Sequence, residues 1–239
     1  MALLARVYLY QRQYDSAIQY SSQVINSGTY SINTSLSNVF QKTSPETILQ
    51  FATPNGYTDI GATFIPNSQL PNFAFTNDFL INVESGDHRV TFWMGTTLNG
   101  GATYYYPFKY KNKSINTTNP EYLVTERLAE QYLIRAEAYA NENKITQGIS
   151  DLNVIRFRAG LQANSAQTSV DLLNALAKER RVELFSEWGH RWFDLKRTAE
   201  VNTIMSIIKP NTWSPNDTLY PIPLVEMTAN SNLIQNTGY

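Results

Sequence analysis

The chain has 239 residues, of which 16% are charged, and its formal net charge is −1. That length can bury a sizeable core in one large domain or two small ones, and the balanced charge points away from nucleic acid or an anionic membrane surface as a partner. The absence of cysteine leaves no disulfide or thiolate metal site, two isolated histidines (His88 and His190) make a histidine-rich metal centre improbable, no cofactor is implied, and no apolar run nears the roughly 20 residues that cross a bilayer.

Residues 1–29 read as a helix pair that starts abruptly in the amphipathic stretch Met1–Tyr8 and turns at Gln11–Tyr14. A second pair over residues 123–160 turns at Asn141–Lys144 and echoes the first at an offset of 136 − 5 = 131. Ala5 then falls on Ala136, Tyr8 on Tyr139, Ala17 on Gly148, Ile18 on Ile149 and Val24 on Ile155. Small residues where two helices cross allow close approach, a pattern resembling the tetratricopeptide helix pair. The alternative is two unrelated hairpins, and copies this far apart do not make a continuous array.

Between the pairs, residues 30–122 form a loop-rich insertion studded with turn formers: Thr53-Pro54-Asn55-Gly56, Ile65-Pro66-Asn67-Ser68, Leu70-Pro71-Asn72 and Leu98-Asn99-Gly100-Gly101. Strands are expected at Thr47–Phe51, Arg89–Met94 and Tyr104–Tyr110, and a helix at Asn77–Glu84. The many rings argue against disorder, because they can bury real area.

Residues 161–239 hold a helix and a tail. From Val170 to Trp188, apolar residues recur at three- and four-residue spacing, with Arg180 interrupting the stripe. A guanidinium there needs carboxylates, and Glu183 and Glu187 are in reach; with His190, Arg191 and Asp194 they are expected to form a structural ion network. Gly189 suits a left-handed position after a helix. Pro210, Pro215, Pro221 and Pro223 exclude regular helix until Leu224–Ala229, and Leu233, Ile234 and Tyr239 would close the chain by apolar packing.

Lys178–Arg197 is the most informative stretch: an Arg-Arg-x-Glu-Leu-Phe run, then Glu-x-Gly-His-Arg-Trp-Phe-Asp-Leu-Lys-Arg. Tyr-Pro-Ile-Pro and a terminal Gln-Asn-x-Gly-Tyr follow. More loosely, Ser44-Pro45-Glu46-Thr47-Ile48-Leu49, Gly86-Asp87-His88-Arg89 and Lys109-Tyr110 stand in the same order. Together these segments resemble the SusD/RagB family of outer-membrane nutrient-binding lipoproteins. The resemblance implies a mainly α fold, in which tetratricopeptide-like helix pairs form a scaffold around a loop-rich insertion with a few short strands. It implies a single SusD-like C-terminal domain over 1–239, the C-terminal half of a longer protein or a shortened gene product. It also implies a non-enzymatic protein at the cell surface of the outer membrane. Such a protein binds oligosaccharide or polysaccharide and hands it to a SusC-like TonB-dependent transporter, and it meets the membrane only through a lipid anchor outside this chain.

Glycan recognition needs flat rings beside amide and hydroxyl groups, and the insertion offers both. Asn55, Tyr57 and Asp59 alternate, as strand residues on one face would. Phe73, Phe75, Trp93 and Tyr105 supply further rings, although any one of these aromatics could instead be core. Tyr57 stands among polar turn residues and is the favoured platform. Two rivals remain: a glycosidase, for which Glu183 and Glu187 sit too close together on one helix face, and a tetratricopeptide-like module that binds protein or peptide.

Overall fold

A computed structural model describes residues 1–239, which divide into two compact units, Met1–Trp188 and Gly189–Tyr239. In the first unit the helices α1 (Ala2–Tyr10) and α2 (Tyr14–Ile25) form one pair. The insertion follows, with β1 (Thr47–Phe51), α3 (Asp59–Phe64), α4 (Asn77–Leu80), α5 (His88–Trp93), β2 (Met94–Asn99) and β3 (Ala102–Pro107). Strand β4 (Leu123–Arg127) runs straight into α6 (Leu128–Asn141), which pairs with α7 (Ile145–Arg158), and α8 (Ser169–Glu183) closes the array. The second unit holds α9 (His190–Arg197), α10 (Val201–Ile208) and α11 (Leu224–Ala229).

The offset of 131 holds in detail. Arg12 and Asn143 carry the left-handed φ angles, 59° and 56°, that turn each pair, and 12 + 131 = 143. Gln13 N–H donates to the Tyr8 carbonyl at 2.9 Å, and Lys144 N–H donates to the Tyr139 carbonyl at 2.8 Å. Ala5, Ala17 and Ala136 are fully buried, as expected of residues at helix crossings. At Gly148 a Cβ would come within 2.8 Å of Leu172 Cδ2 and 3.0 Å of the Ala136 carbonyl, so the helices meet there almost backbone to backbone. One expectation fails: the two pairs do form a continuous array, because α2 packs directly on α6. The chain between them leaves as a closed excursion, and its ends are brought together by the antiparallel pairing of β1 with β4.

The insertion has its own core of Leu36, Val39, Phe40, Phe79, Trp93, Met94, Tyr110 and Val124, with Phe185 contributed from beyond α8. Gly100 and Gly101, both at positive φ, close the β2–β3 hairpin in a two-residue turn. The stretch Arg89–Met94, expected as a strand from its branched and aromatic residues, is helix α5 instead. Asp87 caps it by accepting from Arg89 N–H at 2.9 Å, and the helical spacing buries Arg89 and Trp93 together. The helix expected over Asn77–Glu84 stops at Leu80.

Helix α8 ends at Glu183 rather than at Trp188, and Ser186 and Trp188 then take positive φ. The freed Glu183 carbonyl accepts from Lys109 Nζ at 2.7 Å and from Arg127 Nη2 at 2.8 Å. Two cations thus satisfy a helix C-terminal carbonyl that further helix would have used internally.

In the second unit Gly189 is left-handed at φ 69°, as expected, but it opens α9 rather than ending the preceding helix. The chain's end closes by polar bonds rather than by the expected apolar packing, since Ile234 is 87% and Tyr239 52% exposed. Ile222 lies between two prolines, and the Gln235 amide both accepts from Ile222 N–H (2.7 Å) and donates to its carbonyl (2.9 Å). Asn236 donates to the Tyr220 carbonyl and the Tyr239 hydroxyl to that of Leu219.

Gly148→Val should destabilise the protein by about 1–3 kcal/mol, because overpacking a helix crossing forces the backbones apart. Urea unfolding followed by far-ultraviolet circular dichroism measures this, and an unchanged midpoint would show that the crossing is loose.

Candidate functional site

Beneath the insertion lies a buried cluster of ions around Arg127, the last residue of β4. Its Nη1 donates to Glu46 Oε1 at 3.0 Å and to Glu183 Oε1 at 2.5 Å. Its Nε donates to Glu187 Oε2 at 2.8 Å. Arg158 bridges Glu46 and Glu183 from the end of α7. Lys109 Nζ meets Glu187 Oε1 at 2.5 Å. Arg89 joins Asp87 (2.7 Å), Glu179 (2.7 Å) and Glu183 (3.0 Å). Arg156 carries the chain of pairs outward from Glu179 to Glu84 near the surface. Each side chain in this cluster is almost wholly buried except that of Glu84.

Aromatic rings close the cluster against water. Lys109 Nζ lies 4.1 Å from the Phe185 ring centre and 4.8 Å from that of Trp93, and the guanidiniums of Arg127 and Arg158 lie over Trp93. Burial pushes the Lys109 ammonium down to about 8, against the pull of Glu187. Burial also opposes ionisation of Glu187, but Arg127 and Lys109 outweigh it and hold that carboxyl down at about 2. Glu183, similarly buried, is held well below the usual carboxylate range by Arg158, Arg127 and Arg89. Charges paired in this way fix the positions of the segments that carry them.

One sequence expectation changes here. The Arg180 guanidinium faces Glu137 at 3.7 Å, and Glu183 turns instead to Arg127, Arg158 and Arg89. What sequence reasoning missed is the far side of the network. Glu46, Asp87, Arg89 and Lys109 all lie in the segments singled out above, but nothing in their spacing assigned them as partners of Glu183 and Glu187. Arg127 and Arg158 carried no signal beyond their places at the ends of a strand and a helix.

Above this base the insertion presents a loop face. Asn55 is exposed and Tyr57 half-buried, on either side of Gly56 at φ 69°. A Cβ on Gly56 would lie 2.0 Å from the Asn116 carbonyl, so only glycine allows the two loops to meet. Asn116 N–H donates to the Asn55 carbonyl, and Glu121 N–H and Asn112 Nδ2 donate to that of Gly56. Asp59 is exposed but opens helix α3, capped by Thr58, so the expected strand-like alternation of Asn55, Tyr57 and Asp59 does not exist.

The remaining rings separate. Phe73 is 51% exposed and stands edge-on to Phe64 at 5.5 Å. Phe75 belongs to the core, stacked on Phe79 at 4.4 Å and edge-on to Phe185 at 5.0 Å. Trp93 is fully buried, with Nε1 donating to the Leu36 carbonyl at 2.8 Å, and it serves as a wall of the ion cluster rather than as a platform. Tyr105 is half-buried on β3 and lines a cavity of about 570 Å³ whose walls include none of Asn55, Tyr57, Asp59 or Phe73.

Comparison with known proteins places this arrangement. The sequence model of the SusD family matches residues 91–239. The chain is 30% identical over 135 residues to SusD-like protein P38 of Formosa agariphila, covering 53% of this chain and 26% of that protein. With SusD-like protein P2 of the same organism it shares 35% identity over 130 residues, 47% of this chain and 25% of that protein. Among solved structures, a SusD superfamily protein from Parabacteroides distasonis superposes with a TM-score of 0.80 at 25% identity, covering 100% of this chain and 62% of that one. A laminarin-binding SusD-like protein gives 0.76 at 23%, covering 100% of this chain and 61% of that one. Surface glycan-binding protein A from Bacteroides thetaiotaomicron gives 0.75 at 20%, covering 98% and 62%. The chain therefore spans about three fifths of these solved relatives.

Arg127→Ala or Glu183→Ala should each cost about 3–5 kcal/mol in denaturant unfolding, because the surviving charges are left buried and uncompensated. Lys144→Ala, which removes an exposed pair 4.0 Å from Asp15, should change stability by less than about 1 kcal/mol. The pH dependence has a definite sign. The Glu187 carboxyl is depressed on folding, so its ionic contribution is complete above its ordinary value of 4.5 and is lost as pH falls toward about 2. The stability gap between the parent and Glu187→Gln should accordingly be widest near neutrality and shrink across that window. A gap independent of pH would show that the Glu187 charge does not stabilise the fold.

Proposed function

Because this chain belongs to the SusD family, we propose that it is a non-catalytic binder of oligosaccharide or polysaccharide at the cell surface. Held at the outer membrane by a lipid anchor on the whole protein, it delivers the captured glycan to a SusC-like TonB-dependent transporter. The observation that carries this reading is the loop face around Tyr57: amides of Asn55, a carboxylate at Asp59 and the ring of Tyr57, locked to the Asn112–Glu121 loop above a rigid ionic base. A sugar offers an apolar ring face and a rim of hydroxyls, and this face presents complementary groups in loops that need little ordering on binding. Phe73, exposed beside Phe64, extends the ring-bearing surface.

The non-catalytic reading is supported by the state of the carboxylate pair that invited another view, of which Glu183 ends α8 and Glu187 lies in the turn beyond it. Glu183 and Glu187 are buried and share Arg127, whereas glycoside hydrolysis needs two carboxyls flanking an accessible bond.

Tyr57→Ala should weaken glycan binding roughly tenfold, about 1.4 kcal/mol, while leaving the melting temperature nearly unchanged. Calorimetric titration of the whole protein with a glycan panel, run beside thermal melts, measures both. An early melt would assign Tyr57 to the core, and binding of peptides but of no glycan would replace the carbohydrate reading with a peptide-binding one. Incubation with the same panel should release no reducing ends.

A further inference from the structure

The cavity beside Tyr105 is separate from the Tyr57 face and touches the ion cluster only at its edge, through Glu84 and Asp87. Its inner wall is apolar: Leu80, Val83, Val90 and Met94 form the outer surface of the insertion core. Its rim is polar, with Glu84, Ser85, His88 and Thr91. At about 570 Å³ it falls within the roughly 300–1,000 Å³ typical of small-ligand sites.

The rim is fixed rather than loose. Arg156 donates to both oxygens of Glu84, Nη1 to Oε1 at 2.7 Å and Nη2 to Oε2 at 3.0 Å, and is itself tied to Glu179 in the buried network. The Glu84 side chain nevertheless remains 53% exposed, so its carboxylate keeps capacity to accept further bonds. His88 is pinned by its N–H, which donates to the Ala159 carbonyl at 2.9 Å, and its ring lies over Gly160, where a Cβ would come within 2.5 Å of it. On the opposite side the Tyr105 carbonyl accepts from Phe75 N–H at 2.8 Å, holding that strand position against the core.

The lining selects a class of ligand. An anion would find the Glu84 carboxylate already paired with Arg156, and no lysine or arginine in the lining to draw it. A wholly apolar ligand would cover Ser85, Thr91, His88 and Glu84 without giving them hydrogen-bond partners. A neutral molecule with one apolar face and a ring of hydroxyls satisfies both walls. We propose that this cavity is a second carbohydrate subsite, taking a neutral mono- or disaccharide unit with Tyr105 as the stacking ring and Glu84 as a fixed hydroxyl acceptor. The proposal rests on the carbohydrate-binding reading above but not on the Tyr57 face.

The test is a titration of the isotopically labelled whole chain, followed by backbone amide chemical shifts, with glucose, galactose, cellobiose, maltose and laminaribiose as probes. At least one sugar should shift the amides of Ser85, His88, Thr91 and Tyr105. Thr91→Trp, at an exposed position on the rim, should fill the cavity and abolish those shifts, whereas Tyr57→Ala should leave them. Glu84→Gln, which keeps the shape, should weaken the response about fivefold by exchanging a charged acceptor for a neutral one. Silence at these amides while those of residues 55–59 respond would overturn the subsite and leave the broader reading standing. Silence at both places would remove both. Shifts that survive Thr91→Trp, or that hexanol produces more strongly than any sugar, would overturn the assignment to carbohydrate at this cavity.

Discussion

A buried guanidinium at Arg127 is the constraint on which the first unit is organised. Taking such a charge out of water costs several kcal/mol unless carboxylates meet it at hydrogen-bond distance. Here those carboxylates come from Glu46 before β1 and from Glu183 and Glu187 at the end of α8, with the Glu183 carbonyl added. Lys109, Arg158 and Arg89 then balance the gathered acids. Segments remote in sequence are thereby registered to one point. A well-packed apolar cluster of equal shape could match the stability, but it would not dictate which segment lies against which. We therefore read the network as a device for registration.

That registration explains how a loop-rich insertion of turns and short elements can present a defined surface. Its two-stranded pieces would be marginal alone. The pairing of β1 with β4 and the packing of Trp93 over the cations tie it to the helical array. The Tyr57 loop adds a second level, since Gly56 lets its backbone touch the Asn116 loop. Recognition groups held this way lose little freedom when a ligand arrives, which favours capture by surface loops.

The family match and the structural match differ in extent. The SusD family sequence model begins at residue 91, yet solved relatives superpose on the whole chain. A helix pair asks only for small residues at its crossing and a left-handed residue in its turn, so Ala5, Ala17 and Arg12 serve as well as Ala136, Gly148 and Asn143. Many sequences meet those demands. The ion cluster straddles the start of the matched region: Lys109, Arg127, Arg158, Glu179, Glu183 and Glu187 lie inside it, whereas Glu46, Asp87 and Arg89 precede it.

The mainly helical scaffold, the two helix pairs, the loop-rich insertion and the structural nature of the Glu183–Glu187 stretch were legible in the sequence. Each follows from local rules: periodicity, small residues at a repeated offset, turn formers, and the need of a charge on an apolar stripe for partners. Tertiary structure decided the rest. Arg89–Met94 reads locally as a strand, but an Asp87 cap and the shared burial of Arg89 and Trp93 make it a helix. Trp93 and Phe75 could have been platforms or core, and only the convergence of distant segments put them inside. The partners of Glu183 come from Arg127, Arg158 and Arg89, because ion pairing depends on distance in space, and residues 94 or 56 positions apart leave no local trace of it.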